Sequence, residues 1–591
     1  IEGLKKLEYR GYDSSGIAVL SDKGIELNKC KGEIENLENM IAGRVPSGTC
    51  GIGHTRWATH GAPSDVNSHP HMDQSGRVAL VHNGIVENYV ELKEALIKEH
   101  GIKFKSETDS EVIAQLVGVK YNSNGGDLEK AVYDATKEMR GTYAIGVIAE
   151  DTPNKIVAYR KEAPLIAGIG RKSNFIASDI PALLKYTNDI FLIENDEMVV
   201  CTPDSITIKD KDGKEVKREA MKITWSVEDA EKGGYEHFML KEINEQPKVV
   251  AETLNRRIDE DGKIKLDGIN LTKEELDKYN KIYIVACGTA YHAGLVGKYV
   301  IEKMAGIAVE VDVASEFRYR DPFIDENTLF IAISQSGETL DTLMSLRLAK
   351  EKGARVLSVV NVVGSSIARE SDDVFYTWAG PEIAVASTKA YTAQIATLAF
   401  LAKAVGDANA SEKAAAFDLV HELSLVAQSI ESTLSEKELI DNKVRGLLET
   451  TRNAFYIGRG QDYYVAMEAS LKLKEISYIQ CEGFAAGELK HGTISLIEDG
   501  TPVLALLSDE VLASHTRGNI SEVVARGAKV LTIAEENVAK EGDDIVLNQV
   551  HPYLSPISMV VPTQLIAYFA TLHRGLDVDK PRNLAKSVTV E

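Results

Sequence analysis

The stretch IVACGTAYHA at 284–293 has a counterpart in YIGRGQDYYVA at 456–466, an offset of 172 residues. The same offset places Glu316 of ASEFR on Glu488 of AGELK, and the apolar run 331–333 on 503–505. A slightly larger offset aligns KGARVL at 352–357 with RGAKVL at 526–531. Landmarks recurring in the same order over this span mean one supersecondary unit built twice. In the first copy, apolar strands at 281–286, 309–313, 328–333, 356–360 and 374–377 alternate with long helical patterns. Strands that are apolar throughout and separated by helices belong to a parallel sheet buried on both faces. Two α/β domains are therefore expected, at 236–430 and 431–591.

The first 225 residues have a different texture. Short strand-like runs at 16–20, 51–54, 78–82, 144–149, 155–160, 175–178 and 197–201 outnumber the helical patterns at 88–99 and 109–119. Many are hairpin neighbours, and 209–217, with Asp212-Gly213, reads as a hairpin turn between two last strands. This predicts a layered α+β domain. The polar stretch 226–235, with Gly233-Gly234, reads as a linker. At the chain start, Leu4 and Leu7 among Lys5, Lys6 and Glu8 predict an amphipathic helix already under way at Ile1.

At 591 residues the chain is too long for one core. A net charge of -22 argues against nucleic-acid or acidic-membrane partners and suits a cytoplasmic enzyme. Cys30, Cys50, Cys201, Cys287 and Cys481 form no CxxC pair, so neither a disulfide framework nor a zinc site is expected. No apolar run approaches the ~18 residues of a membrane span, and no signal peptide is recognisable. No metal and no cofactor are expected.

Three places can carry chemistry. The strand TLFIAIS runs into Ser334-Gln335-Ser336-Gly337-Glu338-Thr339, and a helix is predicted over 340–351. Hydroxyls and open backbone N–H groups at a helix start form an anion site, at the strand end where open α/β sheets bind ligands. Plain N-capping by Ser or Thr is the competing reading. A second strand-to-helix turn, ACGTA at 286–290, favours a phosphate or sugar phosphate. In MEASLKLKEISYIQCEGFAAGELKHG, Glu468, Lys472 and Glu475 share a helix face beside Leu471, Leu473, Ile476 and Ile479, with His491 beyond a Gly-flanked turn. A solvated charged face would explain the charges, but the apolar neighbours predict a buried helix suited to proton transfer. In the N-terminal part, Arg56 of HTRWATHG could clamp a carboxylate, and Asn83 and Gly84 of HNG could form an oxyanion hole. Asp109, after Thr108, could equally be a helix cap.

Taken in order, EYRGYDS, HTRWATHG, HNGIVEN, ETDSE, EHFMLKEINEQP, SQSGET, ASTKA, AAGELKHG and DVDKPRNLAKSVTVE resemble the glutamine–fructose-6-phosphate aminotransferase family over the whole chain. The resemblance implies an N-terminal-nucleophile (αββα) glutaminase domain at 1–225 followed by two sugar isomerase (SIS) domains with parallel sheets. It implies glutamine-dependent conversion of fructose 6-phosphate to glucosamine 6-phosphate, in a homodimer. Arg56 and Asp109 would bind glutamine, Asn83 and Gly84 would stabilise the oxyanion, and Trp57 would gate ammonia transfer. Thr289, Ser334, Gln335, Ser336 and Thr339 would bind the sugar phosphate. His491, from the neighbouring chain, would open the ring, Lys586 would form a Schiff base, and Glu475, assisted by Lys472, would move the proton between carbons 1 and 2.

Ala290 stands where many relatives carry Ser. The family's nucleophile, an N-terminal Cys whose free amine is its base, belongs a short way ahead of LEYRGYDS. Neither Cys30 nor Cys50 can replace it, so the chain as written is expected to hydrolyse no glutamine while retaining sugar isomerisation. Two rival readings fit less well. Amidophosphoribosyl transfer would need a phosphoribosyl-diphosphate loop, which is not found after residue 235. A sugar-phosphate sensor without catalysis would carry a basic DNA-binding face and would not need Lys586, Glu475 and His491.

Overall fold

A computed structural model of the chain describes residues 1–57, 61–223, 231–259, 264–266 and 268–589. It divides into two compact units, Ile1–Ala230 with Ser587–Glu591, and Glu231–Lys586. Of the expected linker at 226–235, residues 226–230 lie outside the described residues, as do residues 58–60 of HTRWATHG.

In the first unit the strand Val78–Val86 alternates its faces in the way that stacked layers require. Val78 and Leu80 pack on the helices Asp109–Ser123 and Leu128–Thr136 through Val112, Val117, Ala131 and Val132. Ala79 points the other way, with Ile148, onto Ala18, Leu20 and Ile52. Those last three belong to the three-stranded antiparallel sheet of Ser14–Ser21, Gly24–Lys31 and Cys50–Arg56. Its outer side is covered by the helix Ile34–Ile41, through Leu37 and Ile17. Helices, a seven-stranded sheet, a three-stranded sheet and a helix thus stack as the expected αββα sandwich. The turn between Ile206–Lys209 and Glu215–Val216 is the expected hairpin. The opening helix is a single turn, Glu2–Lys5. It ends in a 3₁₀ turn whose Tyr9 and Arg10 reach Asp179 at 2.5 and 3.0 Å, a tertiary tie that outweighs the weak intrinsic stability of so short a helix.

The second unit repeats itself. Its first sheet runs Val309–Val313, Lys281–Ala286, Thr328–Ser334, Arg355–Val360, Asp373–Tyr376, all parallel. Its second runs Gln480–Ala485, Asn453–Gly458, Pro502–Leu507, Lys529–Glu535, Ile545–Leu547, in the equivalent order and also parallel. One face of each sheet, Ile284 and Ile331 in the first and Tyr456 and Leu504 in the second, faces a single shared core. The opposite faces each have their own, around Val285 and Phe330 and around Ile457 and Val503. Residue 430, the expected boundary between the two domains, lies inside the helix Leu419–Ser435, with Ile430 in the shared core. Through that core runs Ser555–His573, a helix long and apolar enough to cross a membrane, yet with 89% of its most apolar window buried inside the unit. The sequence shows no unbroken apolar run there because buried Thr563 and Thr571 interrupt it. Both satisfy their hydroxyls on the helix's own carbonyls, of Val560 and Ala567.

Candidate functional site

Three clusters collect at the carboxyl end of the first parallel sheet. Lys281–Ala286 and Thr328–Ser334 are neighbours there, and the chain leaves them in opposite directions, which opens a crevice. In the first cluster, Gly337 has φ +65°, and a Cβ on it would lie 2.0 Å from Ser365 Oγ, so the turn needs glycine. Ser334 Oγ accepts the Gly337 N–H at 3.0 Å and lies 3.0 Å from Thr339 Oγ1. Ser336 Oγ accepts the Glu338 N–H at 3.1 Å. Thr339 is the N-cap of Leu340–Glu351, yet its side chain makes no capping bond. The hydroxyls therefore line the turn rather than cap the helix, which favours the anion reading over the capping one. Gln335 is half-buried beside them, and its carbonyl accepts the Asn361 N–H.

The second cluster joins the two repeats. Thr289, in the first turn of Gly288–Ala305, donates to Glu468 Oε1 at 3.0 Å and accepts from Lys472 Nζ at 3.0 Å. Lys472 also lies 3.4 Å from Glu468 and 2.8 Å from Glu475. His292 Nδ1 meets Glu468 Oε2 at 2.7 Å. Lys472 and Glu468 are essentially inaccessible, whereas Glu475 is 21% exposed. Burial works against the charge on Lys472, but Glu475 and Glu468 hold its pKa above the usual lysine range. Burial likewise works against the Glu468 carboxylate, and Lys472, His292 and Thr289 hold it below its usual value. Ala290 packs half-buried against the core and adds no hydroxyl.

In the third cluster the tail lysine Lys586 is buried on Glu382, 2.5 Å from Nζ to Oε2. Glu382 lies in the segment that leaves the strand Asp373–Tyr376, at the same end of the first sheet. Sequence reading missed Glu382, Glu242, which clamps the backbone beside it, and His292. Glu382 had a legible signal: an acid in the apolar run PEIAVASTKA just ahead of a helix start. His491 ends the 3₁₀ segment Ala486–His491 and is exposed. Among the described residues no hydrogen bond ties it to Lys586, Lys472 or Glu475.

In the first unit a cavity of about 1010 Å³ is lined by Arg56, Trp57, Asn83, Gly84 and Asp109. Arg56 closes the strand Cys50–Arg56, is buried, and donates to Gly61 O at 3.1 Å. Asp109 starts the helix Asp109–Ser123, but the cap is Thr108, which accepts from Glu111 N. Asp109 instead accepts the Val86 N–H at 3.0 Å. Gly84 has φ +118°, and a Cβ there would meet Thr142 O at 2.0 Å, so the strand admits only glycine. Asn83 Oδ1 lies 2.8 Å from His54 Nε2. That histidine opens a buried cluster that sequence reading passed over. His54 stacks on His69 at 4.2 Å, and His69 meets His71 edge-on at 4.9 Å. Burial pushes His54 down to about 4 and His69 and His71 well below the usual imidazole range.

The SIS domain family matches residues 275–404 and again 447–574, and the glutamine amidotransferase domain family matches residues 54–185. The chain is 57% identical over 591 residues to the glutamine–fructose-6-phosphate aminotransferase (isomerizing) of Streptococcus pneumoniae R6, covering all of this chain and 97% of that protein. It is 54% identical over 599 residues to the protein of the same name from Clostridium tetani, with the same coverage. Among solved structures it resembles the C-terminal domain of glucosamine-fructose-6-phosphate aminotransferase from Francisella tularensis. That match has a TM-score of 0.56 and 39% identity, over 59% of this chain and all of that one.

Proposed function

The chain belongs to the glutamine–fructose-6-phosphate aminotransferase (isomerizing) family, and on that premise we propose how its residues divide the work. The reaction is the glutamine-dependent amination and isomerisation of fructose 6-phosphate to glucosamine 6-phosphate, with release of glutamate. The domains are taken as 1–225 for glutamine and 236–430 and 431–591 for the sugar, joined by 226–235.

In the first domain Arg56 and Asp109 hold the α-carboxylate and α-amino groups of glutamine. The Asn83 amide and the Gly84 N–H receive the oxyanion, and Trp57 gates the released ammonia. Glutamine and fructose 6-phosphate are the small-molecule partners. In the sugar site Ser334, Gln335, Ser336, Thr339 and Thr289 bind the phosphate and nearby hydroxyls. Lys586 forms the imine at the ketone carbon. Glu475 moves the proton between carbons 1 and 2, with Lys472 holding it in place. Exposed His491 opens the sugar ring in the partner's site of a homodimer, and the enzyme is cytoplasmic.

One observation carries the sugar site. The segments leaving the carboxyl ends of one parallel sheet supply a glycine-dependent hydroxyl turn, a threonine bonded to the buried lysine that holds the Glu475 carboxylate, and the acid on which the tail lysine is buried. A sugar-binding protein without catalysis would have no use for the last two. The test is conversion of fructose 6-phosphate to glucose 6-phosphate by unaltered, Lys586→Arg and Glu475→Gln chains, with fructose 6-phosphate binding measured alongside. Both variants should bind the sugar within about threefold and lose turnover by ~10²-fold or more. Full turnover by either removes that residue from the mechanism. Mixing His491→Ala with Lys586→Ala chains should restore part of the activity, and no recovery in verified heterodimers would refute the shared site.

A further inference from the structure

Lys586 does not stand as a free amine. Its Nζ lies 2.5 Å from Glu382 Oε2, donates to Ala384 O at 2.9 Å, and meets Ser387 Oγ at 3.4 Å. The Lys586 side chain is 4% exposed and that of Glu382 is fully enclosed. An ammonium held in this way has no lone pair for a carbonyl carbon, so imine formation must begin by removing a proton.

Glu382 is fixed independently of the lysine. Its Oε1 accepts the N–H groups of Thr388 at 2.8 Å and Ala390 at 3.0 Å, and its Oε2 accepts the Ser387 hydroxyl at 2.6 Å. These donors gather at the start of the long helix Lys389–Ala408, whose dipole favours a negative charge there. Other charged groups face the pair from each packed element. From Phe238–Asn255 comes Glu242, whose Oε1 accepts Ile383 N at 2.5 Å and Ala384 N at 3.1 Å and so clamps the backbone that holds Lys586. Lys389 is paired with Glu245 at 2.6 Å, and Lys472 comes from Gln461–Ser477. Burial, and then the charge of Glu382, push Glu242 up to about 8, so at neutral pH it is mainly neutral and leaves Glu382 as the acceptor.

We propose that Glu382 is the base that takes the ammonium proton of Lys586 and returns it to the departing oxygen when the imine forms, a role that rests on the assignment of Lys586 as the Schiff-base residue. The proton crosses from Nζ to the carboxylate. The Nζ lone pair then bonds to the sugar's ketone carbon while the C=O π pair moves to oxygen. A second Nζ proton passes to that oxygen, giving a neutral carbinolamine. The Glu382 carboxylic acid protonates the hydroxyl, the C–O bond breaks, water leaves, and the nitrogen lone pair closes the protonated imine. The carboxylate is regenerated, and no further reagent is consumed.

The electrostatics support this cycle. Burial alone would push the Glu382 carboxyl up, but the charge and hydrogen bond of Lys586, with Ser387 and the Ala390 N–H, hold it down at about 2. The largest of the opposing causes is the charge that disappears when the proton crosses. With that charge gone, burial favours the acid form against only the remaining Ser387 and backbone N–H donors.

The test is the rate at which borohydride, with fructose 6-phosphate, fixes the sugar on Lys586, read by peptide mass spectrometry from pH 6 to 9. Glu382→Gln keeps the shape but cannot take a proton. It should slow labelling by ~10²–10⁴-fold at pH 7, with the rate rising about tenfold per pH unit as hydroxide takes over. Glu382→Asp keeps a base at a longer reach and should label faster than Glu382→Gln. A merely structural role would reverse that order, because Gln matches the shape better. Equal rates for the Gln and unaltered chains, or Gln faster than Asp, overturn the proposal. Should the Gln chain not fold, the Asp chain decides alone: at least tenfold slowing is expected, and a rate within twofold of the unaltered chain refutes it. If the unaltered chain fixes sugar elsewhere than at Lys586, the Schiff-base assignment itself falls, which the unaltered control detects separately.

Discussion

Replacing Lys472 with methionine removes a charge from the middle of the site while keeping most of the side-chain volume. Lys472 lies 3.4 Å from Glu468, 2.8 Å from Glu475 and 3.0 Å from Thr289 Oγ1, and it is 1% exposed. Glu475 can turn its carboxylate to water, but Glu468 is fully enclosed. Breaking a buried pair by deleting one partner costs about 3–5 kcal/mol, because the other charge is left uncompensated. The per-residue unfolding entropy of ~2.1 cal/mol/K, taken over Glu231–Lys586, turns this into a Tm loss of roughly 4–7 °C. The loss depends on pH with a definite sign. In the unaltered chain Glu468 is held below its usual pKa, so its contribution is present above about pH 4.5 and disappears as pH falls through the folded value. Without Lys472 burial dominates, the pKa rises, and folding requires a protonated Glu468. The variant should therefore lose more stability at pH 8 than at pH 5. Adding Glu468→Gln to Lys472→Met should recover at least ~1 kcal/mol, the coupling expected of contacting residues. The assay is thermal unfolding by circular dichroism at the two pH values. A Lys472→Met chain within 1 °C of the unaltered one at both would refute the claim that Glu468 and Lys472 form a buried, mutually dependent pair.

Other outcomes follow from the same structure. Gly337→Ala puts a Cβ 2.0 Å from Ser365 Oγ at φ +65°, so calorimetry should show at least tenfold weaker binding of fructose 6-phosphate; unchanged affinity would separate the turn from the phosphate. The buried histidines of the first unit have lowered pKa values, about 4 for His54, so the unfolded chain binds more protons than the folded one below about pH 6.5. The unfolding transition of Ile1–Ala230 should therefore move to lower temperature between pH 6.5 and 5, and a flat profile would contradict their burial as neutral rings. Glu242, raised to about 8, has the opposite sense: stability should fall as pH climbs from about 4.5 to 8, and Glu242→Gln should flatten that slope, as a pH series of melting curves would reveal.

Much of the second unit was legible because a parallel sheet buried on both faces leaves an unmistakable imprint. Lys281–Ala286 and Val309–Val313 occur with the expected ends, and the offset between repeats matches the order of two whole sheets. The Ser334 turn and the Glu468, Lys472, Glu475 face were legible because local spacing alone sets them. What was not legible depends on distant partners. Glu382 and Lys586 are 204 positions apart, and the apolar run around Glu382 marks an acid that will be buried without naming its partner. The histidine cluster assembles only when His54 of Cys50–Arg56 meets His69 and His71 at the strand His71–Met72. The opening helix is a single turn, and the 3₁₀ turn after it is tied to Asp179, a partner far along the chain that no local pattern announces. The exposure of His491 followed from a 3₁₀ segment that the sequence showed only as a Gly-flanked turn.

On the proposed assignment, fructose 6-phosphate sits across the three clusters at the carboxyl end of the first parallel sheet. A crystal structure of the chain with fructose 6-phosphate tests it most directly. Phosphate oxygens are expected within hydrogen-bond distance of Ser334, Ser336 and Thr339, with the ketone carbon beside Lys586 Nζ and Glu475 over carbons 1 and 2. Sugar density elsewhere, with the Ser334–Thr339 turn empty and Lys586 still on Glu382, would contradict it.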